Sequence, residues 1–253
     1  MSTYIMKSSK IEKVFGMADY ICAIEKAFML YSEEKVQMPP KAYLSFDKGD
    51  LRCIPAYLPS LKAAGVKIVN VHPGNKDLPV VMATITSVDP DTGFPMAIMD
   101  GTHITKMRTG AAGAVAAKYL SKEDSKIAGF VGAGVQARTQ LEALLIIRPK
   151  LSKIMVYDIN EANMKQFAEE ARTKYSLQIE CASSVRNTVE KADIVITTTP
   201  VRTPIIKDEY IRRGTHINAI GADAPGKQEL DSEILKQARI VIDDWEQASH
   251  AEK

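Results

Sequence analysis

KIAGFVGAGVQARTQLEALLIIRPKLSKIMVYD, residues 126–158, decides the fold. Lys126–Val131 is a short apolar run with the length of a buried strand, and Gly132-Ala133-Gly134-Val135-Gln136-Ala137 follows directly. Thr139–Ile147 is mostly apolar, holds neither Gly nor Pro, and reads as a helix with Pro149 just beyond its end. Ile154–Tyr157 is a second apolar run that closes on Asp158. The order is strand, glycine turn, helix, strand, acid.

That order has a chemical meaning. Gly132 permits a tight turn, Gly134 leaves room for a pyrophosphate against the backbone, and Ala137 lets the helix pack close to the strand. The exposed N–H groups at the helix start, with the helix dipole, favour a bound anion. Asp158 ends the second strand, where a carboxylate can accept bonds from both ribose hydroxyls. The same carboxylate repels a 2′-phosphate, which points to NAD over NADP. A Gly-x-Gly by itself is weak; the flanking strands, helix and acid turn it into a dinucleotide signal, against the bland alternative of a glycine turn in a nucleotide-free α/β domain.

After Asp158 the alternation continues. Helix 161–174, strand 177–181, a short helix near 184–191, strand 193–198, strand Thr215–Ile220, helix Asp231–Gln237 and a last strand Ile240–Ile242 are expected. Strands alternating with helices imply a parallel sheet with right-handed crossovers. The first hundred residues differ. An amphipathic helix over 17–34 precedes strand candidates Ala42–Phe46, Leu51–Tyr57, Val66–Val71, Val80–Val88 and Phe94–Met99, which are separated by turn clusters. This reads as a helix followed by a largely antiparallel sheet. Thr109–Leu120 reads as a helix whose glycines and alanines allow close packing, and Ser121–Ser125 is a polar boundary. The fold class is therefore α/β: a Rossmann-type doubly wound parallel sheet over 123–253, preceded by an α+β domain over 1–122.

Composition narrows the class of function. The 253 residues are 45% hydrophobic and 25% charged with a net charge of +2, so nothing points to nucleic acid or a membrane surface. No apolar run approaches the ~20 residues that span a bilayer. MSTYIMKSSKIEKV, the opening stretch, has no secretory h-region. Cys22, Cys53 and Cys181 are far apart and odd in number, as expected of reduced thiols in a cytoplasmic protein. His72, His103, His216 and His250 form no metal-ligand pattern, and no metal site is expected.

Outside the turn, three residues invite chemistry. Lys67 lies within the apolar strand Gly65–Asn70, where a lysine is costly to bury unless it is paired or its pKa falls. It could then bind a carboxylate or donate a proton, or simply face solvent on an alternating strand. Arg52 has a similar setting and suits bidentate capture of an α-carboxylate. Asp223 follows strand 215–220, at the carboxyl end of which ligands of open parallel sheets sit, and could activate water or take an amine proton; the alternative is a turn aspartate before Pro225-Gly226. Thr197-Thr198-Thr199-Pro200 also follows a strand, with hydroxyls that could contact cofactor.

Several long segments together resemble the ornithine cyclodeaminase/mu-crystallin family, and within it the archaeal-type alanine dehydrogenase branch. They are MPPKAYL (38–44), LRCIPAYL (51–58), GVKIVNVHPGN (65–75), MRTGAAGAVAAKYL (107–120), GFVGAGVQA (129–137), TTTP (197–200), THINAIGADAPGKQELD (215–231) and DDWEQASH (243–250). The resemblance implies a substrate-binding and dimerisation domain before the Rossmann domain, and a homodimer. It implies substrate carboxylate recognition by Arg52, Lys67 and Arg108, with Lys41, and acid/base roles for Lys67 and Asp223. It places Arg108, Thr109, Gly132, Gly134, Val135 and Gln136 on the cofactor phosphates and Asp158 on the ribose. Thr199, Asn218, Ala219, Ile220 and Lys227 would line the rest of the nucleotide. Two departures stand out. Val80 replaces the threonine that many relatives carry in Leu-Pro-Thr-Val, and relatives continue past the point where this sequence stops, at Ala251-Glu252-Lys253.

The expected activity is an NAD-dependent amino-acid dehydrogenase of the alanine dehydrogenase type, converting a small amino acid to a 2-oxo acid and ammonia. Ornithine cyclodeaminase, a ketimine reductase and a non-catalytic mu-crystallin-like nucleotide-binding protein are the alternatives.

Overall fold

Tyr4–Met6 forms a short strand, β1, followed by α1 (Ser8–Ile11) and α2 (Met17–Ser32). Strands β2 (Ala42–Phe46), β3 (Gly49–Leu58), β4 (Ala63–Val71), β5 (Val81–Val88) and β6 (Pro95–Asp100) come next, then α3 (Thr102–Leu120). This computed structural model describes residues 2–33, 35–224, 226–245 and 248. The chain divides into two units, Met1–Arg108 and Thr109–Lys253. The division falls inside α3, whereas the expected domain boundary after residue 122 falls just past that helix's end.

In the first unit the sheet order is β1-β6-β5-β4-β3-β2. Neighbours from β6 to β2 run antiparallel, as their turns require. The β5–β6 turn shows the chemistry: the Asp89 carboxylate accepts from Asp91 N and Thr92 Oγ1, both at 2.9 Å, and Gly93 takes φ 74°. β1 pairs in parallel with β6, Tyr4 opposite Ala97, and its three residues gave no sequence signal of their own. α2 starts where Asp19 accepts the N–H of Gly16 at 2.9 Å, and it buries Met17, Tyr20 and Ile21. α3 begins earlier than residue 109 because Asp100 accepts the Thr102 N–H and Gly101 O accepts that of Thr105, both at 2.8 Å.

The second unit holds β7 (Ile127–Val131), α4 (Val135–Ile147), β8 (Lys153–Tyr157), α5 (Glu161–Lys174), β9 (Gln178–Cys181), α6 (Val185–Val189), β10 (Ile194–Thr197), β11 (His216–Ala219) and α7 (Ser232–Gln237). All five strands are parallel, in the order β11-β10-β7-β8-β9. The order reverses between β7 and β10, which makes their carboxyl ends the switch point where ligands bind in such sheets. Phe130 and Phe167 meet in the core at a centroid distance of 5.8 Å, each shielded from water, and such burial stabilises by about 1.5–3 kcal/mol per side chain. Arg148, also buried, donates to the carbonyls of Ala117, Lys118, Ser121 and Ile147 and to Ser121 Oγ, satisfying the carbonyl ends of α3 and α4.

One expected element is absent. Ile240–Ile242 forms no strand; all three side chains are exposed, and the segment pairs with no strand among the described residues. An apolar run supplies the side chains of a strand but not the neighbouring backbone that makes it one. Of DDWEQASH, the residues beyond Trp245 other than Ala248 lie outside the described residues. No helix among the described residues is long and apolar enough to cross a membrane.

Candidate active site: a nucleotide turn and a buried lysine

The glycine turn stands at the switch point. Gly132 has φ 97°, a conformation that side chains resist, and a Cβ there would lie 2.7 Å from Thr198 Oγ1. Gly134 differs: its φ is −78°, and a Cβ would meet nothing within 4 Å. The space over Gly134 is thus open, as a phosphate lying on the backbone needs. α4 starts at Val135, so the N–H groups of Val135 and Gln136 have no acceptor within the helix. Asp158, at the end of β8, accepts the Ala133 N–H and the Asn160 N–H, both at 2.7 Å. Arg138 braces the other side, donating through Nη1 to Ala133 O at 2.7 Å and Gly134 O at 3.2 Å. A dinucleotide fits this set: open backbone for its pyrophosphate and a carboxylate at the neighbouring strand end for its ribose.

The ends of β10 and β11 complete this side. Thr198 Oγ1 donates to Gly132 O at 3.3 Å, linking the TTTP segment to the glycine turn. Thr199 donates through both N–H and hydroxyl to Glu229, a buried carboxylate not singled out in the sequence. Its signal was only an acid in Lys227–Asp231, one of several there. Ala219 is exposed, and Ile220 N donates to Thr197 O. Asn218 is buried and its amide is committed within the protein: Nδ2 donates to Gly113 O, and Oδ1 meets His216 Nε2, both at 2.9 Å. His216 has its pKa lowered by burial and so carries its ring neutral. Asp223 is exposed and pairs with Lys227. Thr109 uses its carbonyl to accept from Gln140 Nε2 at 2.9 Å.

In the first unit the expected cations converge. Arg52 lies opposite Val69, and Ile54 opposite Lys67, so Arg52 and Lys67 are diagonal neighbours on one face of the β3–β4 pair. Tyr43, opposite Arg52 on β2, shares that face and carries the guanidinium 5.0 Å from its ring centroid. Lys41 is 6.0 Å from the same ring. Arg52 is almost fully buried, and Asp50 grips it in a fork, Nε to Oδ1 at 2.8 Å and Nη2 to Oδ2 at 3.0 Å. Asp50 was missed by sequence reasoning, although an acid two positions away on a strand shares the face of the residue it serves. The pKa of Lys67 falls to about 7, chiefly through burial and further through the positive charges of Arg108, Arg52 and Lys41. Among the described residues no group of His, Cys, Asp and Glu is arranged to hold a metal.

A parallel sheet in this order, with a glycine turn and a strand-end acid at its switch point, defines a dinucleotide-binding protein. The chain belongs to the ornithine cyclodeaminase/mu-crystallin family, whose model matches residues 1–252. It is similar to an alanine dehydrogenase of Archaeoglobus fulgidus, 48% identical over 252 residues that cover 99% of this chain and 76% of the relative. Among solved structures it resembles an archaeal alanine dehydrogenase dimer with bound NAD, at a TM-score of 0.94 and 48% identity over 99% of this chain and 77% of that one. It also resembles the Thermococcus litoralis Delta(1)-pyrroline-2-carboxylate reductase in complex with NADH and L-proline, at a TM-score of 0.88 and 44% identity over 93% and 74% of the two chains.

Proposed function

We propose that this protein is an NAD-dependent amino-acid dehydrogenase of the alanine dehydrogenase type. The observation that carries the reading is Lys67, a half-buried amine brought to a pKa of about 7 among three other cations, with Arg52 its diagonal neighbour on the same sheet face. Such a group can exchange a proton near neutral pH, and its neighbours attract a carboxylate. The 48% identity to an alanine dehydrogenase supports the same reading.

Bound NAD would supply the acceptor for the hydride that leaves the substrate Cα. Gly134, Val135 and Gln136 would hold its pyrophosphate, the last two through backbone N–H groups, with Gly132 shaping the turn through its own N–H bond to Tyr157 O, and Asp158 would hold its ribose. Arg52, fixed by Asp50, takes the substrate carboxylate together with Arg108 and Lys41. Lys67 accepts a proton from the substrate ammonium, because the nitrogen lone pair must be free for an imine to form. Asp223 then takes a proton from the water that adds to the imine carbon, and ammonia leaves to give the 2-oxo acid. Thr199, Ala219, Ile220 and Lys227 line the nucleotide. The dimeric state of the similar archaeal structure supports a homodimer.

The 44% identity to a pyrroline-carboxylate reductase favours a second reading, reduction of a cyclic imine by the same residues. One experiment addresses both: NAD reduction with L-alanine and L-ornithine, and NADH oxidation with pyruvate plus ammonia and with Δ1-pyrroline-2-carboxylate, repeated in Lys67→Ala and Asp223→Asn. Turnover with alanine, reduced to a measurable residue in Asp223→Asn and lost in Lys67→Ala, is the expected result. Full turnover in either variant removes that residue's role, and turnover with the cyclic imine alone selects the reductase reading.

A further inference from the structure

Glu229 is 1% exposed, yet no cation is bonded to it; its four donors are two backbone N–H groups and two hydroxyls. Oε1 accepts from Thr199 N at 2.7 Å and Thr199 Oγ1 at 2.6 Å. Oε2 accepts from Thr197 Oγ1 at 2.7 Å and Gly221 N at 2.8 Å. The donors come from the ends of two adjacent strands, β10 and β11. A buried carboxylate is expensive unless its lone pairs are filled, and here both oxygens are filled from opposite sides. The fit is close: a Cβ on Gly221 would stand 2.1 Å from Thr199 O and 2.6 Å from Glu229 Oε1.

The backbone of Glu229 is fixed as well. Its carbonyl accepts from Ile205 N and Ile206 N, both at 3.0 Å, and Leu230 next to it bridges Ile206. The carboxylate therefore ties the start of the segment that leaves β11, at Gly221, to its end at residue 229. Asp223 and Lys227, which pair with each other, ride on that segment. Gln228 N, which donates to Val201 O at 3.0 Å, and Glu229 together hold the far end of that segment.

We infer that Glu229 is a positioning residue that fixes Asp223 and Thr199 relative to the strand ends. It does not touch substrate; its effect passes through the two residues it holds. The effect on turnover rests on the proposed role of Asp223, while the effect on the segment's position does not. Displacing a reacting group by an ångström costs about 100-fold in rate, so loss of the clamp should lower kcat by about 10- to 100-fold. The glycine turn is braced separately by Asp158 and Arg138, so NADH affinity should fall less than kcat, through Thr199 alone.

The test uses the full-length chain with Glu229→Gln, which keeps the shape but replaces one acceptor oxygen by a donor, and Thr197→Val, which removes a single hydroxyl. Amide hydrogen exchange is measured at Thr199 and Gly221, NADH binding by fluorescence, and kcat with L-alanine. Faster exchange confined to these amides, a lower kcat and a smaller loss of NADH affinity are expected, with Thr197→Val intermediate. In an Asp223→Asn background, Glu229→Gln should cost little more, because both changes disable the same group. A folded Glu229→Gln with wild-type kcat overturns the inference, as does an equal loss in both backgrounds. If the wild-type chain turns over neither alanine nor any imine, the dehydrogenase reading fails, and the exchange measurement still decides: wild-type exchange in Glu229→Gln sinks the clamp.

Discussion

The carboxylate of Asp158 accepts the backbone N–H of Ala133 at 2.7 Å, so the acid at the end of β8 holds the glycine turn at the end of β7. One side chain thus shapes the phosphate cradle and stands ready for the ribose. Hydrogen bonds to a charged group contribute about 1.5–3 kcal/mol each, so Asp158→Ala should weaken NADH binding by at least tenfold. It should not create good NADP binding, because the turn itself loosens. Fluorescence titration with both nucleotides checks this; tight NADP binding by the variant would contradict it.

Gly132 and Gly134 should respond differently to alanine. At Gly132 the added methyl meets Thr198 and a strained φ, so Gly132→Ala destabilises the fold and destroys the turn. At Gly134 it meets open space, so Gly134→Ala should unfold at the wild-type temperature and yet lose NADH affinity, by tenfold or more on a ~1.4 kcal/mol clash. Melting curves with and without NADH separate the two effects. Unchanged NADH affinity in Gly134→Ala would remove the pyrophosphate from this position.

Lys67 ties both activity and stability to pH, and in the same direction. Its pKa of about 7 predicts that kcat/KM for amino-acid oxidation rises with pH through that region, as the amine becomes able to accept a proton. For stability the sign follows from proton counting. Below pH about 7 both folded and unfolded chains hold the proton, and the fold bears the whole cost of the buried charge. Between about 7 and 10.5 the unfolded chain binds more protons, so stability climbs with pH. Lys67→Met should therefore be inactive and melt higher than wild type at pH 6, by about 2–4 °C for each kcal/mol relieved. A lower melting temperature in the variant would show that the charge is better accommodated than its surroundings suggest.

Arg148 tests the helix ends. Its guanidinium donates to carbonyls at the ends of α3 and α4, sharing that of Ala117 with the N–H and hydroxyl of Ser121. Arg148→Met should lower stability by about 3 kcal/mol, read as a urea midpoint shift without a change in slope. NADH affinity of the folded fraction should hold, since Arg148 touches no part of the turn.

Most of the second unit was legible because its signals are local. Periodic apolar runs, glycine punctuation and the acid ending β8 lie within a few residues of one another, and the observed strands differ from expectation by a residue or two. Helix 161–174 matches end to end. Non-local facts were invisible. β1 is a strand only because β6 lies beside it, and Ile240–Ile242 is not one because no strand lies beside it. In the site, Lys67 and Arg52 declared themselves as charges inside apolar strands. Asp50 and Glu229 did not, because an acid in a polar stretch looks like any surface acid until its partners are seen. Asn218 shows another non-local fact: its amide donates to Gly113 O, far away in sequence.

The Asn218 amide reaches Gly113 O across 105 positions of sequence. A nascent chain that has emerged only as far as β10 can form the first helices and the glycine turn, yet it leaves that carbonyl without its partner. Closure of the second unit must wait for β11 to leave the ribosome. The late arrival of one asparagine thus makes the pairing of Gly113 O a long-range and late step in folding.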